Sequence, residues 1–182
     1  MAQFETFEAG VEVNGQTVTA VVEGAGEVSS VFEDRALEML AENGIEDPKP
    51  DEWYPQQAWL DAFRDISDSI GSQTLRNIGK QIPASADWPP GVDSVAGGLE
   101  SINDAYHMNH RGGDIGYYEF ETVGDKEGKV RCKTPYPCDF DRGIVESVTE
   151  EFSPEGAFVD VLEESDQCRD DGGDECVYNV MW

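Results

Sequence analysis

The chain has 182 residues and carries 39 Asp and Glu against 12 Lys and Arg, which gives a formal net charge of −27. This length predicts about one domain with a real core, and 10% aromatic residues are more than an acidic disordered chain carries. The charge excludes basic-patch binding to nucleic acid or to anionic membranes. No apolar run reaches the roughly 18 residues of a membrane span. We predict a cytoplasmic protein, because the first residues lack the basic and apolar regions of a signal peptide.

The acidic residues are spread along the whole chain rather than gathered in a tail. Such a distribution is typical of proteins from a salt-rich cytoplasm, where molar salt shortens the Debye length to about 3 Å and screens self-repulsion. The charge therefore describes the solvent more than it describes a function. We expect the protein to loosen at low salt.

The N-terminal half is predicted to be one hairpin followed by helices. Asn14-Gly15 separates two β-branched runs, so residues 4–24 are predicted as a β-hairpin. Through residues 29–109 the apolar residues recur at helical spacing. The apolar faces of these helices consist of Phe32, Ala36, Leu37 and Leu40, then Trp59, Phe63 and Ile66, then Val95, Leu99, Ile102 and Tyr106.

The hydrophobic period changes to two in residues 114–182, which indicates strands. Two strands joined around Gly124–Gly128 are followed by a helix, a strand, a hairpin tip and a last strand. We therefore predict a single α+β domain over residues 1–182. Its helical N-terminal half packs on a mostly antiparallel sheet of order β-β-α-β-β.

All four cysteines lie in the sheet half, where the predicted hairpins bring their sulfurs together. In a cytosol, grouped cysteines are more often metal ligands or free thiols than disulfides. A tetrahedral zinc held by thiolates is one interpretation, with Glu164 or Asp166 as a further ligand. Free buried thiols and a Cys168–Cys176 disulfide are the alternatives. The predicted metal ligands are Cys132, Cys138, Cys168 and Cys176.

Residues 54–182 resemble 4-vinyl reductase-like domains and the sensor domains of aromatic-responsive bacterial activators, as an acidic, haloarchaeal-type member. The specific motifs lie only in residues 135–182. The wider superfamily includes heme-nitric-oxide-binding domains and vesicle-tethering subunits. The resemblance implies a structural zinc beside a small-molecule pocket. The activators use a Glu where this chain has Ser165, so Cys132 becomes the candidate fourth ligand. The matching positions are Cys138, Gly143, Cys168, Gly172, Cys176 and Tyr178.

The resemblance favours a sensor or adaptor domain that acts through protein–protein contact, as a homodimer or with a protein partner. A small apolar molecule is expected between the helical half and the sheet, because ligand pockets are mostly apolar with few polar groups. The residues predicted to line this pocket are Trp59, Phe63, Tyr106 and Tyr117.

His107 and His110 are the only histidines, and on a helix they share a face. The alternative function is therefore a metal- or thiol-dependent enzyme that uses this pair. In the other interpretation the two imidazoles simply suit the negative end of the helix dipole. Heme is disfavoured, because the heme-binding relatives hold the propionates with a tyrosine–serine–arginine motif that YYEFETVG does not provide.

Overall fold

A computed structural model describes residues 3–85, 89–164 and 168–182. Five helices precede the main sheet in the chain, and a sixth lies in sequence between two strands of that sheet. They are α1 (Gly15–Val28), α2 (Ser30–Glu42), α3 (Gln56–Ile70), α4 (Ser72–Ser85), α5 (Val95–Met108) and α6 (Cys138–Phe152). The strands are β1 (Glu12–Asn14), β2 (Trp53–Pro55), β3 (His110–Arg111), β4 (Tyr117–Gly124), β5 (Glu127–Lys133), β6 (Asp160–Glu163) and β7 (Cys176–Met181). A 3₁₀ turn, Arg169–Asp171, precedes β7.

The N-terminal hairpin predicted over residues 4–24 is wrong. Asn14 instead caps helix α1, and its side-chain oxygen accepts a hydrogen bond from the Thr17 amide at 3.0 Å. Gly15 allows the helix to begin there, because a Cβ at this position would collide with the Lys49 carbonyl. Three valines that favour strands locally are buried on α1, so tertiary packing decides the conformation. These valines are Val18, Val21 and Val22.

The main sheet confirms the prediction of an α+β fold with a β-β-α-β-β order. Its strands are all antiparallel and run in the order β4-β5-β7-β6, with α6 between β5 and β6 in the chain. One face is buried, as the alternation along β7 shows, where Cys176, Tyr178 and Val180 point into the core. A second, small sheet of order β2-β1-β3 joins Val13 to Tyr54 on one side and to His110 on the other.

Helices α4 and α6 cross with their backbones in contact at two glycines. A Cβ on Gly79 would collide with the Phe140 carbonyl, and one on Gly143 would collide with the Arg76 carbonyl. The crossing also brings Arg76 and Lys80 to Glu146, which is 6% exposed. Small residues therefore set the distance between the helical half and the helix that interrupts the sheet.

The surface carries few large apolar side chains. Phe158 is the most exposed of the large apolar residues in the described part of the chain, at 77%. Over the same residues, every helix is too short or too polar to cross a membrane.

Candidate functional site

A small cavity lies between α5, the start of α1 and the sheet half. Its volume is about 40 Å³, and its wall is aromatic and aliphatic with a few buried polar groups. It is lined by Thr17, Ile82, Ile102, Ala105, Tyr106, Asn109, His110, Tyr118, Tyr136, Phe140 and Ile144. The cavity thus sits where the sequence predicts a ligand, between the helical half and the sheet.

His110 and Tyr136 form a buried hydrogen-bonded pair in the cavity wall. The His110 Nδ1–H donates to the Tyr106 carbonyl at 2.8 Å, which leaves Nε2 to accept from the Tyr136 hydroxyl at 2.6 Å. This network assigns the tautomer. Burial lowers the pKa of His110 to about 4, so the imidazole is neutral at pH 7. A neutral imidazole is also the form that binds a metal.

The cavity tyrosines are neutral donors. Burial raises the pKa of Tyr106 and Tyr118 well above the ordinary value of 10. The Tyr106 hydroxyl donates to the Ile115 carbonyl at 2.6 Å, and the Tyr118 hydroxyl donates to Asp141 at 2.5 Å. The phenols of Tyr106 and Tyr118 are therefore each fixed by a partner outside the cavity lining.

Behind the cavity, Asp141 and Arg169 form a fully buried ion pair that the sequence did not reveal. The Arg169 Nη2 lies 2.5 Å from Asp141 Oδ2, and the two side chains are 1% and 0% exposed. Burial raises the pKa of Asp141, and the Arg169 guanidinium opposes that rise. Thr134 donates to the same carboxylate at 2.7 Å. The sequence feature that could have indicated this ion pair is Arg169, the one cationic residue in the acidic CRDDGGDEC segment.

Three of the four predicted metal ligands lie together. The sulfurs of Cys138, Cys168 and Cys176 all lie within 4.8 Å of one another, and they form the only such cluster of potential ligands found among the described residues. Cys168 and Cys176 are joined in a disulfide, which was one of the alternatives. Cys138 Sγ lies 3.1 Å from each of the other two sulfurs. Burial raises the pKa of Cys138 to about 12, so it is a neutral thiol.

The other candidate ligands do not join this cluster. Cys132 is a free, buried thiol on β5 whose Cα pairs with that of Cys176, but it is not a member of the sulfur group. Glu164 forms an ion pair with Lys129 at 2.7 Å. Asp166 lies outside the described residues, as does Ser165.

Of the four residues predicted to line a ligand pocket, only Tyr106 lines the cavity. Trp59 and Phe63 are fully buried and stack on each other with ring centroids 4.9 Å apart. Tyr117 is 36% exposed and donates to Glu175 at 3.1 Å, on the outside of the sheet. Trp59 and Phe63 belong to the core beneath the cavity, because Phe63 packs edge-on against Phe140.

The two histidines do not form a joint centre. His107 is exposed, and its Nδ1 lies 2.9 Å from the Asn103 carbonyl in its own helix. His110 is buried, with both ring nitrogens in hydrogen bonds. Neither belongs to a cluster of potential metal ligands among the described residues. The geometry therefore does not favour an enzyme built on this pair.

Comparison with known proteins finds similar folds but no similar sequence. No family model matches the chain, and no curated protein matches it. An H-NOX protein from S. oneidensis matches with a TM-score of 0.66 and 12% identity, over 92% of this chain and 95% of that one. An H-NOX protein from K. algicida matches with 0.66 and 14%, over 92% and 95%. An oxygen-binding H-NOX domain related to soluble guanylate cyclases matches with 0.63 and 16%, over 92% and 94%.

These matches overturn the cofactor prediction of a structural zinc with heme disfavoured. The similar solved structures include H-NOX proteins and one studied for heme distortion in the H-NOX family, so the proteins that share this fold are associated with heme rather than with a structural zinc. The disulfide adds a physical reason, since it leaves Cys168 and Cys176 without the thiolates that a four-sulfur zinc site needs.

The residues at the cavity have the chemistry that heme binding needs, but the volume of the cavity is small for heme. His110 offers a neutral imidazole in an apolar wall, as an iron ligand requires. The cavity of about 40 Å³ holds on the order of one water molecule, so a porphyrin would have to displace part of the aromatic lining. No comparison supports the 4-vinyl reductase-like or haloarchaeal assignment. At identities of 12 to 16%, the likeness establishes the fold, and this chain has the fold of the H-NOX domains.

Proposed function

We propose that this chain is a small-molecule sensor domain whose ligand site is the cavity at His110. Heme is the ligand to test first, and His110 is the residue that would hold its iron. The observation that carries the proposal is the neutral, buried imidazole in the wall of a mostly apolar cavity. Perturbed titratable groups in an apolar pocket are the expected mark of a binding site.

The similar solved structures support a sensor of this kind, because they include an oxygen-binding H-NOX domain and an H-NOX protein in its Fe(II)NO state. When bound, heme would supply an iron centre that can bind a small gas. The residues of this chain would orient the imidazole and exclude water. Tyr106 holds Nδ1 through its carbonyl, while Tyr136 would release Nε2.

Titration of the purified chain with hemin, followed by the Soret absorbance, tests the proposal. We expect saturable binding to the unaltered chain and a loss of more than about tenfold in affinity in His110→Ala, because His110 would be the residue that holds the heme iron. His107→Ala is the matched control, since His107 is exposed in the last turn of α5, three residues before His110, and it should bind as the unaltered chain does. Circular dichroism of each variant reports whether it is folded.

Two results would refute this function: no saturable Soret shift in the folded chain, or equal affinity in His110→Ala and the unaltered chain. Either would exclude His110 as the residue that holds heme.

We further propose that the domain passes its signal to a protein partner by contact, as a homodimer or with another protein. The exposed apolar side chains Phe158 and Leu162, which flank and occupy the edge strand β6, support a contact surface there. Sedimentation equilibrium at molar KCl tests dimerisation of the purified chain. If the chain is a monomer at every concentration, the homodimer is excluded and only contact with another protein remains.

A further inference from the structure

The Tyr136 hydroxyl occupies the one nitrogen of His110 that could bind a ligand. His110 Nδ1 is engaged with the Tyr106 carbonyl at 2.8 Å, so the lone pair of the neutral ring lies at Nε2. The Tyr136 hydroxyl lies 2.6 Å from Nε2. A hydrogen-bond donor and a ligand atom cannot share that lone pair. The ligand-free chain therefore closes its own site at this atom.

The backbone of Tyr136 is anchored on both sides of the side chain. Tyr136 lies in the loop between β5 and α6, with a proline before it and a proline after it. Its amide donates to the Thr134 hydroxyl at 3.3 Å, and its carbonyl accepts from Arg169 at 3.1 Å. The part of Tyr136 that is left to move away from His110 is thus its side chain.

Two buried donors lie close to the same phenol. Gln56 and Trp59 are both 0% exposed, and Gln56 Nε2 and Trp59 Nε1 form no hydrogen bond of normal geometry with the described residues. Burial raises the pKa of Tyr136, and Gln56 and then Trp59 oppose that rise. The Gln56 side-chain oxygen already accepts from Thr6 at 2.8 Å, and an indole can only donate.

These neighbours favour the closed position of the phenol. A hydroxyl that leaves His110 meets donors at Gln56 and Trp59, and a buried donor without an acceptor is costly. The cavity beside the ring, at about 40 Å³, is also too small to receive a phenol unless the lining shifts. Without a ligand, the hydrogen bond from Tyr136 to His110 therefore stays in place.

We propose that Tyr136 is a latch on the ligand site: its hydroxyl holds His110 Nε2 until a ligand competes for that nitrogen, and the strength of this hydrogen bond limits ligand affinity. The inference rests on the proposed function, because it names the residue that regulates that same site. The affinity of a site that is open for a fraction of the time is reduced by that fraction. The latch also accounts for the small cavity, since the phenol is part of the lining that a larger ligand displaces.

Acylation of the ligand-free full chain with diethyl pyrocarbonate tests the latch without heme, because this reagent needs the lone pair of a neutral imidazole. Tandem mass spectrometry separates His110 from the exposed His107, which serves as the internal reference. Tyr136→Phe removes the hydroxyl and keeps the ring, so His110 should react about two- to tenfold faster. Tyr178→Phe is the matched control, because this buried hydroxyl donates to the Cys138 carbonyl at 2.8 Å and lies outside the cavity lining. It should react as the unaltered chain does.

Hemin titration of the same three chains tests the competition. Tyr136→Phe should bind hemin about two- to tenfold more tightly than the unaltered chain, since no hydrogen bond has to break. Tyr178→Phe should gain no affinity. A purely structural role of Tyr136 predicts the opposite, because a loosened site binds more weakly. Tyr136→Leu also lacks the hydroxyl and replaces Tyr136→Phe if circular dichroism shows that the latter is unfolded.

The latch is refuted if His110 reacts at the same rate in the folded Tyr136 variant and in the unaltered chain, or if Tyr178→Phe accelerates the reaction equally. It is also refuted if the Tyr136 variant binds hemin no more tightly than the unaltered chain does. If none of the three chains binds hemin, the proposed function fails, and the acylation rates alone decide the latch.

Discussion

Acidification from about pH 7 to pH 4 is expected to weaken the fold through His110. Burial lowers the pKa of this imidazole from 6.5 to about 4, so the folded chain keeps it neutral where the unfolded chain binds a proton. Between these two values the unfolded state carries more protons, and the free energy of unfolding falls as the pH falls. The contribution of the neutral His110 to the free energy of unfolding is complete above about pH 6.5 and is lost near pH 4.

The size of the effect follows from the gap between the two pKa values. At about 1.4 kcal/mol for each pKa unit, a fall from 6.5 to about 4 corresponds to about 3 kcal/mol. The hydrogen-bonded neighbours of His110, the Tyr106 carbonyl and the Tyr136 hydroxyl, carry no negative charge that would compensate a proton. Against a typical domain stability of about 5–15 kcal/mol, this is a large share.

Urea unfolding at constant ionic strength measures the effect in three chains. His110→Gln keeps a hydrogen-bond acceptor for Tyr136 but does not titrate, so it should lose about 3 kcal/mol less than the unaltered chain over this pH range. His107→Gln, at the exposed histidine, should follow the unaltered chain. The 39 acidic residues titrate in all three chains, and the difference between chains isolates His110. Parallel pH profiles for His110→Gln and the unaltered chain would refute the reasoning.

Two other predictions concern packing and charge. Gly143→Ala should cost about 1–3 kcal/mol of unfolding free energy, because its Cβ would meet the Arg76 carbonyl and the Gly79 Cα. Gly26→Ala, also in a helix, meets only the movable Glu33 side chain and should be neutral or stabilising; equal losses in the two variants would contradict this account of the crossing. For the net charge of −27, the melting temperature should rise between dilute and molar KCl, since salt screens the repulsion. A melting temperature that is flat or falls would show that the charge is tolerated without salt.

The architecture of the sheet half was predictable because its pattern and its environment agree. Alternation along the strands gives one buried face, and the observed sheet has that face and that strand order. At Asn14-Gly15 the same two residues suit a hairpin turn or a helix cap equally well. Only the contacts of Gly15 with the Lys49 carbonyl and of Val18 with the core decide between them.

The candidate site was predictable in place but not in composition. The cysteine cluster and Tyr106 follow from spacing, whereas the partners of His110 do not, since Tyr136 reaches it from a loop that carries no periodic pattern. The buried role of Asp141 could not be predicted from the sequence for another reason. In a chain with 39 acidic residues, one buried carboxylate has no sequence mark apart from the rare cation that pairs with it.

The small β2-β1-β3 sheet has a consequence for the order in which the domain folds. Asn14 caps α1, and its amide and side chain also bond to Asn109 at the end of α5. The pairing of Val13 with His110 joins residues separated by most of the helical half. Because the chain entropy of closing so long a loop must be overcome before such contacts form, we expect local helices to form first and this sheet to close late. The histidine of the cavity should then reach its final position only when one of the slower contacts of the fold has formed.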